Sequence, residues 1–71
     1  MNLINIEQTN SQLGYISNDF TLEAAVIECN SALENGQMIF LNGKPFIEDI
    51  ILDTDLAKIS SICITNKLTG G

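Results

Sequence analysis

Hydrophobic and polar positions alternate with period two at both ends of the chain and with a helical period in the middle. In residues 2–8, Ile4 and Ile6 point to one face and Asn5 and Glu7 to the other, as in a half-buried strand. Residues 9–14 gather turn formers and residues 15–20 resume an extended pattern, which predicts a hairpin with a loop of about six residues. At Thr21 the period changes. Leu22, Val26, Cys29 and Leu33 fall on one stripe while Glu23, Asn30 and Glu34 lie away from it, which predicts an amphipathic helix of about three and a half turns. Thr21 is suited to cap its N-terminus, Glu23 to complement the positive end of the dipole, and Gly36 to supply a left-handed stop.

An apolar strand at 37–41, the turn Asn42-Gly43 and a return strand at 44–47 follow, with Pro45 restricting that return to a sheet edge or a bulge. Ile50, Ile51 and Leu52 are apolar enough to tuck under the sheet. Asp53, Thr54 and Asp55 should cap a short turn carrying Leu56 and Ile59. In the last strand Ile62, Ile64 and Leu68 share a parity opposite to Cys63, Thr65 and Lys67. The order strand-strand-helix-strand-short elements-strand belongs to an α+β domain in which one helix covers one sheet.

With 71 residues the chain holds one domain with a small core. Nine acidic residues against three lysines give a formal charge of −6, which opposes binding to nucleic acid or anionic membrane and favours a partner with a basic surface. Neither a transmembrane run nor a signal peptide is visible, so the reading is a cytoplasmic protein. The spacing of Cys29 and Cys63 fits no metal or redox motif, and both are expected as small buried hydrophobes rather than a disulfide. The chain has no histidine, which excludes serine-histidine and cysteine-histidine catalysis by its own groups.

Candidate chemistry therefore lies at the end of the chain, where the last strand runs into Gly70 and Gly71. Two glycines in the last two places arise by chance roughly once in 200 chains. Without Cβ atoms they form a thin, flexible tail over 69–71 that can thread another protein's active site.

The helix start at Thr21-Leu22, the run Met38-Ile-Phe-Leu-Asn-Gly-Lys-Pro45, and the strand through Lys67-Leu-Thr into Gly70-Gly71 together resemble the ubiquitin-like β-grasp proteins. Within these, the chain is similar to the ThiS/MoaD sulfur carriers with a C-terminal Gly-Gly. The resemblance spans nearly the whole chain, with one departure: such carriers often place Asp-Gly-Asp before the last strand, where this chain has Lys58-Ile-Ser-Ser61. It implies a mixed four- to five-strand sheet packed on one main helix. It also implies a carrier that is not itself an enzyme and binds no cofactor. A ThiF/MoeB-like adenylating enzyme would use ATP and magnesium to adenylate the Gly71 carboxylate, which then becomes a thiocarboxylate for cofactor biosynthesis. A synthase large subunit is a further partner of this kind of carrier. Docking is expected on the sheet face away from the helix, through Leu68 and, if they lie on that face, Met38 and Phe40; the acidic run Glu48, Asp49, Asp53 and Asp55 is a second candidate contact with a basic surface.

The same tail also suits a ubiquitin-like modifier joined through Gly71 to lysines of other proteins. A phage or structural β-grasp interaction domain, for which Gly-Gly is incidental, is a third reading, and a leader segment cut after the double glycine a fourth.

Overall fold

The computed structural model describes residues 3–10 and 14–66. Two strands, β1 (Ile4–Asn10) and β2 (Gly14–Phe20), precede the helix α1 (Leu22–Glu34); β3 (Met38–Leu41), β4 (Lys44–Phe46), the short helix α2 (Asp53–Leu56) and β5 (Ser61–Thr65) follow. The strands form one five-stranded mixed sheet in the order β2-β1-β5-β3-β4. Only β1 and β5 run parallel; the other neighbours are antiparallel. The first hairpin is tighter than its sequence suggests, since pairing continues to Asn10 opposite Gly14 and leaves residues 11–13 as the connection.

Register arranges the inner face in rows. Ile6, Ile62 and Leu41 stand side by side across three strands, and Gln8, Ile64, Ile39 and Phe46 across four. Against these rows α1 packs its buried residues Ala25, Cys29 and Ala32, with Leu22, Val26 and Leu33 half-buried around them. The predicted stripe of large residues thus forms the shoulders of the contact. Alanines occupy its centre, where a small side chain lets the helix approach the sheet closely.

Local chemistry sets the ends of α1. The Thr21 hydroxyl oxygen accepts a bond from the Ala24 N–H at 3.3 Å. At the other end Gly36 adopts φ 75°, its N–H donates to the Leu33 carbonyl, and the Gln37 N–H donates to the Ala32 carbonyl. This is the paired Schellman pattern, and its left-handed residue is the reason for glycine there.

Asn42 and Gly43 both have positive φ, as a type I′ hairpin turn requires. The Asn42 side chain also accepts bonds from the Ser60 and Ser61 N–H groups at 3.3 and 3.1 Å, tying the turn to the start of β5. Pro45 lies on the edge strand β4, where a missing donor costs no ladder bond.

In the segment before α2, only Ile51 enters the core. Ile50 and Leu52 are 61 % and 54 % exposed, contrary to the expectation that all three tuck under the sheet. The Asn30 side chain explains the difference. Its amide nitrogen donates to the Ile51 carbonyl at 3.0 Å and its oxygen accepts from the Ile51 N–H at 2.9 Å. This two-point clamp holds one residue inward in an extended segment, so its neighbours point outward. After it, the Asp55 carboxylate accepts from the Leu52 N–H at 2.8 Å and closes the turn beneath buried Leu56 and half-buried Ile59. Among the described residues no helix is long and apolar enough to cross a membrane.

Candidate functional site

The side chains of β3 alternate, and with Ile39 buried beneath α1, Met38 and Phe40 face the opposite side of the sheet. Met38 is 39 % exposed and Phe40 half-buried. Register brings further residues to them. Phe40 stands opposite Cys63 on β5 and Pro45 on β4, and Met38 opposite Thr65, the last residue of β5. Cys63 is paired in turn with Glu7, and Glu7 with Ser17.

This outer face is divided. Over β3, β4 and β5 it carries Met38, Phe40, Cys63 and Pro45. Over β1 and β2 it is mostly polar, with Asn5 donating to Ser17 Oγ at 2.7 Å and to Asp19 Oδ1 at 3.1 Å, and with exposed Tyr15 opposite Thr9 as its aromatic member. The apolar half adjoins the end of β5. There the Thr9 hydroxyl donates to the Ile64 carbonyl at 3.1 Å, and the Gln37 amide donates to Asn66 Oδ1 at 3.1 Å, fixing the strand where it leaves the sheet.

Of the expected docking residues, Met38 and Phe40 therefore share a face. Leu68 and the tail glycines Gly70 and Gly71 lie outside the described residues. Sequence reasoning left out Cys63 and Pro45. Both had a signal: a two-residue turn at Asn42-Gly43 sets Phe40 opposite Pro45, and Cys63 has the parity opposite to Ile62 and Ile64. Of the four acids in the run, Asp55 is the helix-capping group just described, while Glu48, Asp49 and Asp53 are exposed.

Both cysteines are free, Cys29 buried and Cys63 half-buried on the outer face. Cys29 thus fits the expectation of a small buried hydrophobe. Cys63 fits it in part, being half-buried on the outer face between its register partners Glu7 and Phe40. Burial, with a smaller contribution from Glu7, pushes the Cys63 thiol up. Burial, and secondarily Glu28, pushes Cys29 up to about 11.

The raised Cys29 value has a stability consequence whose sign is definite. The unfolded thiol ionises near 8.5, whereas the folded one keeps its proton to higher pH. Its contribution is present in full below about pH 8.5 and is lost as pH rises toward 11, by about 2–3 kcal/mol. Urea unfolding at a series of pH values should show the wild-type chain losing that much more stability between pH 9 and 11 than a Cys29→Ala variant. Parallel curves for the two proteins would contradict it.

Among the described residues no group of three or more His, Cys, Asp or Glu side chains is gathered to hold a metal ion. A cavity of about 650 Å³, lined by Leu3, Leu22, Leu56 and Lys58 among others, lies by the start of β5, at the opposite end of the sheet from Thr65. Compared with family models, curated proteins and solved structures, the chain matches none of the three.

Proposed function

We propose that this protein is a sulfur carrier of the ubiquitin-like β-grasp type, activated at the Gly71 carboxylate by an adenylating enzyme of the ThiF/MoeB kind. The observation that carries the reading is the end of β5. A central strand, flanked by β1 and β3, leaves the sheet beside an apolar pair on the outer face, partly exposed Met38 and half-buried Phe40. The five-stranded mixed sheet with one main helix is compatible with a β-grasp.

The chemistry asks little of the carrier. A carboxylate is a poor electrophile, so a Gly71 oxygen attacks the α-phosphorus of ATP and pyrophosphate leaves, with magnesium supplied at the partner's site. A sulfur nucleophile then attacks the acyl carbon and expels AMP, giving a thiocarboxylate. The folded domain contributes docking energy, and the outer face supplies a hydrophobic contact with polar surroundings, as protein interfaces commonly do.

The test is product mass. Incubated with the adenylating enzyme, ATP, magnesium and a sulfide source, the chain should gain about 16 mass units at its C-terminus as oxygen is exchanged for sulfur. No gain under conditions that convert a known carrier would sink the reading, and isopeptide conjugates to other proteins in its place would identify a modifier. In the same assay a Met38→Glu variant should fold normally, because the side chain is solvent-accessible, but should need about tenfold more carrier for half-maximal rate.

A further inference from the structure

The Asn30 clamp leaves a crevice of about 420 Å³ between α1 and residues 50–53, lined by Glu23, Val26, Asn30 and the segment Ile50 to Asp53. Its apolar walls are Val26, Ile50 and Leu52. Ile27, 70 % exposed, is three residues from Asn30 and four from Glu23 on the helix surface, and extends the apolar area. Large aliphatic groups exposed together in this way mark an interaction surface more often than isolated ones do.

Charge restricts what can occupy it. Glu23 and Asp53 are lining residues, and exposed Glu48 and Asp49 stand just before Ile50 in the chain. Lys44 and Lys58, the cations among the described residues, do not line the crevice. An acidic or neutral apolar segment would bring no compensation to these carboxylates, and a second copy of this acidic chain would add repulsion. The two bonds from Asn30 also hold the loop in place beforehand, so little ordering is required of it on binding.

We propose that this crevice is a second docking surface, taking a basic segment of a partner protein with one aliphatic side chain seated between Ile50 and Leu52. It lies on the helix side of the sheet, away from Met38 and Phe40. A partner held there leaves the outer face open, so one protein can retain the carrier while another works on its end. The crevice and its test are independent of the sulfur-carrier reading, because neither involves Gly71.

The test is a titration of the 15N-labelled full chain with a short capped peptide, one leucine flanked by lysines, followed by NMR. Saturable shifts at Glu23, Val26, Asn30 and residues 50–53 are expected. Binding should weaken about tenfold or more when the leucine is changed to serine, and equally in an Ile50→Ser/Leu52→Ser chain whose spectrum shows the native fold. A peptide with glutamates for lysines should not bind, and added salt should weaken the lysine peptide. Four results would overturn the proposal: shifts centred on Met38 and Phe40, affinity unchanged by the double substitution, no saturable binding at millimolar peptide, or the same amides moving with protein concentration alone, which would identify a second copy as the occupant.

Discussion

An Ile64→Ala substitution should cost about 3 kcal/mol and lower the melting temperature by roughly 12–24 °C. Ile64 is fully buried on the central strand, in register with Gln8 on one side and Ile39 on the other. Both flanking strands are held by ladders on two sides, so the walls around a deleted side chain cannot easily close over the cavity. A domain of this size holds only about 4–11 kcal/mol in all, so the loss is a large fraction of the total. Urea and thermal denaturation followed by circular dichroism measure it. A cost below about 1 kcal/mol would show that the inner rows are not the tightly packed core described above.

The second large effect concerns the proposed chemistry rather than the fold. Removing Gly71 alone leaves a carboxylate, now on Gly70, but shortens the reach of the chain by about 3.5 Å. A misplacement of about 1 Å at a reacting centre already costs on the order of a hundredfold in rate. Pyrophosphate exchange catalysed by the adenylating enzyme should therefore fall by at least about a hundredfold, with no change in urea midpoint. Unchanged exchange by the shortened chain would rule out activation at Gly71, and retention of some other binding activity would favour a structural interaction domain.

The fold was legible where a residue's own chemistry decides the outcome. Thr21, Gly36, Asn42-Gly43 and Pro45 each act through a local bond or a required dihedral, and each stands where the pattern puts it. Less legible was whatever depends on closeness between distant segments. Reading the helix by its large side chains marks Leu22, Val26, Cys29 and Leu33, yet the central contact is made by Ala25, Cys29 and Ala32, because proximity to the sheet favours small residues. Likewise, three consecutive apolar residues at 50–52 look equally buried until Asn30, twenty-one positions earlier, selects Ile51. The outer-face site falls between these cases: alternation groups Met38 with Phe40, and it takes the burial of Ile39 to say which way the pair points.

The parallel pairing of β1 with β5 also bears on how the molecule forms. Ile6 meets Ile62, 56 positions further along the chain, and this contact joins the two halves of the sheet. Such long-range closure slows folding relative to helical domains of the same length. On a ribosome the β1–β2 hairpin and α1 can form early, but their apolar faces stay uncovered until residues 61–65 have emerged. Emergence of β5 is then the event that completes the domain, and a chain lacking it leaves Ile6 and Ile39 without their central partners Ile62 and Ile64, for chaperones to hold.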